Sequence, residues 1–447
     1  MKVVKIFSFV VAMLFISPIN SQEISSYADK GVNLSIDLQK AIDIALAENP
    51  SIRIADKDVK LKEIAKSEAW QQLLPTVSAN GQIQHTLLAA EMKLNGNVFK
   101  MGQDNTNTAA IIGTVSLPVF APAIYRTIKL SKQDIQLAKE KARASRLDLV
   151  NQVTKAFYGL LLAQESCEAL QQSYDVSKKN FELVNNKYKV GTVSEYDKIS
   201  AEVQMRTMNS SLVSAKNAVT IAELNLKVIM GVTADLRIMA DDKLVNHEKD
   251  LVLVSNADAA NELDNNNTSL KQLDLNYQML QQTKKLQYTN FMPSVSFQLS
   301  AQYQSLYNPN WKLWDYGWAP SSNFIINLSI PLFTASNFTK LKTTKVQMSQ
   351  LLDTKENTRR RLAESLESYR ENMASAIVAT ESNKEAVYQA ERALQIAEKR
   401  YDVGKGTILE LDQSEVAQAQ TKLTYYESIY NYLVNKADYE YTLGRKY

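Results

Sequence analysis

The chain has 447 residues, of which 45% are hydrophobic and 22% are charged, so it is not a disordered chain and is long enough to bury a sizeable core. Its formal net charge is only +3, and the sequence indicates no strongly basic face, which argues against a nucleic-acid-binding protein. A single cysteine excludes an intramolecular disulfide, and two distant histidines form no metal-ligand cluster. Because no nucleophile motif or glycine-rich phosphate loop occurs either, we expect neither catalysis nor a cofactor.

Residues 1–21 are predicted to be a secretory signal peptide. Lys2 and Lys5 precede an apolar run at 6–16, and the small residue Ser21 follows it. An apolar run of this length makes only about 17 Å of helix, which is too short to cross a bilayer. We therefore expect cleavage near residue 21 and export of the chain that follows.

Two ten-residue stretches of the chain are nearly the same. YKVGTVSEYD at 188–197 returns as YDVGKGTILE at 401–410, and LPVF at 117–120 returns at the same offset as IPLF at 330–333. Such spacing indicates a tandem duplication that gives two equivalent structural units.

This duplication divides the chain into two structural repeats. The first repeat is predicted at 22–231 and the second at 257–447. Each repeat is predicted to contain a helix, a pair of strands, a long helix, a tip and a return helix. The segment between them, at 232–256, is predicted to be an irregular region at mid-height that allows for short strands.

Each repeat is predicted to contain a pair of amphipathic strands. The first pair falls at about 76–86 and 109–118, and the second at about 294–304 and 322–330. Apolar and polar residues alternate along them, most clearly in SVSFQLSAQYQ, which is typical of two-faced strands. Nine to eleven residues is also the length of a tilted strand that crosses a bilayer, so we expect four transmembrane strands per chain.

After each strand pair the hydrophobic period becomes helical, with apolar residues in steps of four and three that are typical of a coiled coil. The stretches from Pro118 to Gly191 and from Pro331 to Gly404 are equal in length, and each would reach about 110 Å if it were helical throughout. A globular core cannot accommodate such helices. We therefore expect a mainly α fold with a small β part, in which each long helix packs antiparallel to two half-length helices stacked end to end.

The two repeated stretches are predicted to be hairpin tips between antiparallel helices. Both contain a glycine, a hydroxyl residue and an acid at the same spacing: Gly191, Ser194 and Asp197 in the first tip, and Gly404, Thr407 and Glu410 in the second. A glycine accepts the left-handed backbone at a helix end, and a hydroxyl residue with an acid three positions later forms a capping box. Capping does not explain Tyr188 and Tyr401, which occupy equivalent positions before the glycines.

In these tips, strand pairs and split return helices the sequence resembles the TolC-type outer-membrane efflux channel family, over nearly all of the chain after the signal peptide. The resemblance implies a homotrimer in which each chain gives four strands to a twelve-stranded transmembrane β-barrel. It also implies a helical barrel that extends into the periplasm, and partnership with a periplasmic adaptor (membrane fusion) protein and an inner-membrane pump. The implied function is the exit duct of a tripartite efflux or type I secretion system in the outer membrane.

The resemblance further implies that the helical tips constrict the resting channel. By position, Tyr401 matches the gate tyrosine, Asp197 the acid that this tyrosine bonds, and Glu410 a ring acid that is usually aspartate in the family. Three such carboxylates on the channel axis would favour cations, so acid pH or divalent cations are expected to reduce conductance. Some relatives have an arginine two residues after the tip glycine; this chain has Gly406 there, beside Lys405, which puts the second gate link in question.

A second function is compatible with part of this pattern. A periplasmic coiled-coil scaffold or adaptor without pore activity would also contain helical hairpins and a signal peptide. Such a protein would not need amphipathic strand pairs of bilayer length, so the strands favour the channel. The residues between the second pair, at 303–318, include three tryptophans and three tyrosines, and are predicted to form an outer aromatic girdle and packed loop.

Overall fold

The computed structural model describes residues 33–94, 97–233, 237–254 and 258–445. The predicted signal peptide at 1–21 lies outside these residues. Within the described ranges, every helix is too short or too polar to cross a bilayer.

In the described residues, the first repeat contains nine regular elements. In chain order they are β1 (Asn33–Ile36), α1 (Leu38–Glu48), α2 (Pro50–Gln71), β2 (Thr76–Thr86), β3 (Ala90–Leu94), β4 (Asn97–Met101), β5 (Thr106–Phe120), α3 (Pro122–Lys189) and α4 (Glu195–Met230).

The second repeat follows the same order with fewer strands. After β6 (Arg237–Ala240) and a 3-10 turn (Leu244–Asp250) come α5 (Ala259–Asn266), α6 (Thr268–Tyr288), β7 (Ser294–Asn308), β8 (Ala319–Ser329), α7 (Ala335–Asp402) and α8 (Ile408–Leu443). Helices α3 and α7 have 68 residues each, and α4 and α8 have 36 each. The spacing that separates the two tip motifs also separates both ends of α3 from those of α7, and both ends of α4 from those of α8, so the duplication extends to the helices.

Each long helix packs beside two shorter ones. Helix α3 contacts α2 and α4, and α7 contacts α6 and α8. At 68 residues a helix is about 100 Å long, which matches the expected coiled-coil architecture. Helix α3 also packs on α6 and α8, so it joins the two repeats.

The short helices meet end to end at asparagine residues. Helix α4 ends at Gly231, whose backbone lies against Asn49, the residue that separates α1 from α2. The Asn49 amide donates to the Ile229 carbonyl at 2.6 Å. In the second repeat Asn267 and Gly444 occupy the same positions. The N-terminal segment is therefore not one helix, because Asn49 caps a new helix where the end of α4 abuts it.

A core at mid-height holds the repeats together. Among its fully buried members are Phe157 and Leu160 of α3 and Tyr432 of α8. Strand β6 pairs in parallel with β1 beside this core, so the predicted mid-height segment contains one short strand whose partner the sequence pattern did not reveal.

Four long strands form an antiparallel sheet in the order β2-β5-β7-β8, with β2 and β8 at its edges. The first predicted strand has the bounds Thr76–Thr86, but the other three differ. Strand β5 extends beyond the predicted 109–118, β7 runs past 304 to Asn308, and β8 spans Ala319–Ser329 in place of 322–330.

These differences have physical causes. The prediction ended the first pair at Pro118, yet β5 continues to Phe120 through a register shift, where a residue without an N–H is tolerated. At the other end, Asn107 of β5 pairs with Asn308, which extends both strands. The additional hairpin β3–β4 was not predicted, and it lies within the stretch that makes the first repeat longer between its strands.

Candidate functional site

The ends of the two helical hairpins, α3–α4 and α7–α8, form a cluster of their own. The buried apolar residues of this tip cluster come from all four helices: Val184, Ala201, Leu394, Ala397, Tyr401, Ile408 and Leu411. It is separate from the mid-height core. The predicted tip residues are therefore brought together on one small packed unit.

Both tips turn through a glycine with left-handed backbone. Gly191 has φ of +75° and Gly404 has φ of +71°. The glycine N–H groups donate to the carbonyls of the tyrosines three residues earlier, Tyr188 at 2.9 Å and Tyr401 at 3.1 Å. Such geometry is typical of a helix C-terminus that ends in glycine.

The two helix starts differ in their capping. Ser194 and Asp197 form the complete predicted capping box: each side chain accepts the other's backbone N–H, both at 3.2 Å. Thr407 accepts from the Glu410 N–H at 3.2 Å, but the reciprocal bond is not formed. The Glu410 carboxylate instead lies 3.5 Å from the guanidinium of Arg400, so only half of the expected second box is present.

The two tip tyrosines have different environments. Tyr401 is 7% exposed and Tyr188 is 37% exposed. Burial raises the pKa of Tyr401 to about 12, and the nearby Asp197 and Asp412 carboxylates add to the rise, so its hydroxyl stays protonated. The resemblance implied a hydrogen bond from Tyr401 to Asp197, but this bond is not formed. The Tyr401 hydroxyl meets no acceptor in the described chain, and the Asp197 carboxylate accepts from the Ser194 N–H instead.

A lysine beside each tyrosine was missed by the sequence reasoning. The Lys187 ammonium lies 5.2 Å from the centre of the Tyr401 ring and 3.3 Å from the Asp402 carboxylate, so it links α3 to α7. The Lys198 ammonium lies 5.2 Å from the centre of the Tyr188 ring, but this contact stays within the first hairpin. Cations over aromatic faces are attracted by the ring quadrupole.

The second tip turn folds closely over Arg400. The guanidinium donates to the Lys405 carbonyl at 3.2 Å, so Lys405 contributes its backbone to the site. A Cβ atom on Gly406 would lie only 3.1 Å from both the Arg400 Cβ and the Tyr401 nitrogen. Arg400 thus supplies a basic group next to Glu410, from the helix before the tip glycine. The duplication could have indicated it, since Arg400 occupies the position in the second repeat that Lys187 has in the first.

Two acids of α8 accept hydrogen bonds from the first hairpin; Asp412 is partly buried and Glu415 is fully buried. Asp412 accepts from the Ser200 hydroxyl of α4 at 2.8 Å, and burial raises its pKa. Glu415 accepts from the Asn180 side chain of α3. Among the residues that the structure describes, no group of three histidine, cysteine or acidic side chains is placed to hold a metal ion.

A shallow groove runs between α7 and α8 just above the second tip. Its lining is mostly small: Ala390, Ala393, Ala397 and Ala417, with Arg400 and Glu410 at one end. Small side chains allow a third helix to approach closely, and the charged end offers ion-pair partners.

Known proteins are similar to this chain on both sides of the mid-height segment. A sequence model of the family described as outer membrane efflux protein matches residues 41–232 and 259–443. The chain is 20% identical over 415 residues to the outer membrane protein TolC of Salmonella enteritidis, covering 91% of this chain and 82% of that protein.

Solved structures share the fold. A crystal structure of CusC is similar with a TM-score of 0.75 and 16% identity, over 93% of this chain and 94% of that one. The outer membrane protein VceC of Vibrio cholerae is similar with a TM-score of 0.72 and 16% identity, over 91% of this chain and 96% of that one.

Proposed function

The chain belongs to the outer membrane efflux protein family, and we propose that three copies form an outer-membrane channel that is the exit duct of a tripartite efflux or type I secretion system. In this proposal the protein performs no chemistry and uses no energy of its own. The four strands enter the outer membrane, and the helices extend into the periplasm towards a pump and its adaptor.

The observation that carries this proposal is the four-stranded sheet with two free edges. In the described chain β2 and β8 each pair on one side only. Unpaired backbone groups in lipid cost several kcal/mol each, so such a sheet needs further strands. Because the order is antiparallel throughout, β8 of one copy can pair antiparallel with β2 of the next. Eight strands would leave an interior filled by side chains, whereas twelve, from three copies, leave an aqueous path.

Exposed apolar side chains on one face of the sheet favour its insertion into lipid. Phe324, Ile326 and Leu328 occupy alternate positions of β8 and are 61–69% exposed. Side chains at alternate positions point to the same face of a strand. A face of this kind suits the apolar band of a transmembrane barrel.

The helices also expose apolar side chains that another helix could cover. Leu61 and Ile64 of α2 are more than 60% exposed, as is Val346 of α7. Apolar side chains on a coiled-coil helix are normally covered by another helix. Copies of the same chain would cover them if the helices form a closed barrel.

The tip is the proposed gate. Tyr401 and its cluster hold the two hairpins together, and docking of an adaptor in the groove between α7 and α8 would compete with those contacts. Asp197, Glu410, Tyr188, Ser194 and Thr407 contribute caps, charge and packing at the same end.

Disulfide cross-linking tests the closure of the barrel. In a Cys167→Ser background, Ser78→Cys on β2 is combined in turn with a cysteine at positions 321 to 327 of β8. We expect covalent dimers and trimers, and no larger species, for the pairs that face each other. The matched control is Ser78→Cys alone. Chains that remain monomeric at every β8 position, or form ladders longer than three, would contradict a closed trimer.

A further inference from the structure

Glu415 lies in the contact between α8 and α3, close to the tip. It is 3% exposed, and its Oε1 atom accepts from the Asn180 side chain. Ser177, one turn earlier on α3, is also buried beside it. The Oε2 atom is buried and meets no hydrogen-bonding partner among the described residues. An ionised carboxylate normally needs several donors or a positive charge when it is buried.

Among the described residues, no basic side chain forms an ion pair with Glu415. The charged groups that bear on it are Asp412 on its own helix and Glu398 on α7, which are both acids. Helix α3 presents only the neutral Asn180 and Ser177, and α4 presents Ser200, which bonds Asp412. Burial raises the pKa of Glu415 to about 7 although the Asn180 and Ser177 side chains lower it, and the two acids add to the rise.

The other repeat contains the same acid in a different setting. Glu202 is the residue of the first repeat that corresponds to Glu415; it is partly exposed and forms an ion pair with Arg206 at 2.7 Å. At the position equivalent to Arg206 the second repeat has Ala419, which is buried. The second repeat therefore keeps the acid without its base and places it inside a helix contact.

We propose that Glu415 is a proton-binding switch in the tip, where a proton on its carboxyl group holds α8 against α3 and loss of that proton loosens the contact. The neutral carboxyl group leaves one buried O–H donor without a partner. This costs much less than an ionised carboxylate, which would be an unpaired buried charge next to two other acids. The effect on pore opening rests on the proposed channel function; the effect on packing does not.

The direction of the pH effect follows from linkage. The packed tip binds this proton more tightly than an opened tip, in which the group would titrate near its ordinary value of 4.5. The contact is therefore fully favoured below about pH 4.5. It weakens by at most about tenfold per pH unit as pH rises towards about 7, and it stays weak above that. Acid is expected to close the tip and alkali to loosen it.

Hydrogen exchange of the full-length protein in detergent tests the packing. The readout is the protection of amides at 177–184 and 411–419, corrected for intrinsic rates, at pH 5.5 and 8.5. We expect wild-type protection to fall on the order of tenfold between these values. Glu415→Gln mimics the neutral group and should stay protected at both, while the matched control Glu202→Gln should behave as the wild type.

A second variant covers the case in which Glu415→Gln does not fold. Asn180→Lys places a base directly against the carboxylate, so Glu415 should be ionised at both pH values and protection should no longer depend on pH. Equal pH dependence in wild type and in both variants would overturn the proposal. Bilayer currents that rise with pH in the wild type and stay constant in Glu415→Gln would extend it to the pore. The expected exchange pattern without currents in any variant would support the switch and contradict the channel.

Discussion

The Lys187 ammonium of the first repeat lies 5.2 Å from the centre of the Tyr401 ring in the second repeat, and 3.3 Å from the carboxylate of the next residue, Asp402. One lysine thus contacts two consecutive residues across the boundary between the hairpins. Most of the lysine side chain is covered, whereas Asp402 is largely exposed. The ring contact therefore contributes more than the ion pair, which solvent screens.

Replacing Lys187 with methionine is expected to loosen the tip. The change keeps much of the side chain's length and removes the charge, with a loss of about 1 kcal/mol in the contact between the hairpins. Single-channel recordings should show more frequent openings than in the wild type. Lys198→Met is the matched control, because Lys198 covers Tyr188 within one hairpin. An equal effect of the two variants would mean that the link between the repeats does not matter.

Two glycines with the same backbone conformation are expected to differ in their tolerance of alanine. Gly444 has φ of +70°, and a Cβ atom there would lie 2.3 Å from the Asn266 carbonyl oxygen. Gly191 has φ of +75° and open space around it. Gly191→Ala should reduce the free energy of unfolding by about 1–2 kcal/mol, and Gly444→Ala by roughly 2–5 kcal/mol.

Thermal unfolding followed by circular dichroism measures this difference. The larger fall in the midpoint should belong to Gly444→Ala, because its helix end must move away from α5 and α6. If the two variants lost the same stability, the close end-to-end stacking of the short helices would be wrong.

The asparagine caps at the helix junctions should contribute more to stability than an ordinary cap. Asn267 is 5% exposed; its side chain accepts the Leu270 N–H at 3.0 Å and donates to the Thr442 carbonyl at 2.8 Å. Asn267→Ala removes the cap and leaves a buried carbonyl without its donor, for a loss of about 2–4 kcal/mol. Asp37→Ala removes an exposed cap and should cost about 1 kcal/mol. Denaturant unfolding of both variants gives the comparison, which fails if Asp37→Ala costs as much.

In the proposed trimer, the three Glu410 carboxylates at the tip are expected to bind divalent cations. Each carboxylate has an Arg400 neighbour at 3.5 Å, but both side chains are about half exposed, so the pairing is weak. Millimolar Mg²⁺ should reduce the current of the wild type at constant pH and affect Glu410→Gln much less. Glu195→Gln removes another exposed acid of the tip region and should leave the block unchanged. A block that persists in Glu410→Gln would place the cation elsewhere.

The large-scale fold was predictable because its signals are local or repeated. Helical and alternating patterns of hydrophobic residues can be recognised within a short stretch of sequence. The spacing of the repeated tips predicts that the two hairpins have equal lengths, which agrees with the matching ends of α3 and α7. The glycine turns at 191 and 404 follow from their own residue types. The β3–β4 hairpin was missed although Asn95 and Gly96 stand between its strands in the sequence, a pair that favours tight hairpin turns.

The side-chain partners were not predictable in the same way. Contacts such as Lys187 with Asp402 and Asn180 with Glu415 join residues that are far apart in the chain, and they depend on the rotation of each helix about its axis. That rotation is set by packing along the whole seam. The Tyr401–Asp197 hydrogen bond was predicted but is not formed, because the Asp197 carboxylate already accepts from Ser194 in the capping box.

Single-channel conductance in planar bilayers tests the central claim, a pore that is constricted at the helical tips. Wild type is compared with the double variant Tyr401→Ala, Asp197→Ala, which removes the largest side chain of the tip cluster and the Asp197 half of the first capping box. Alanine is used because the Tyr401 hydroxyl has no partner in the described chain, so phenylalanine would change little. We predict small, flickering wild-type currents that become large and steady in the variant. Equal currents would contradict the gate, and the lack of any current in both proteins would contradict the channel itself.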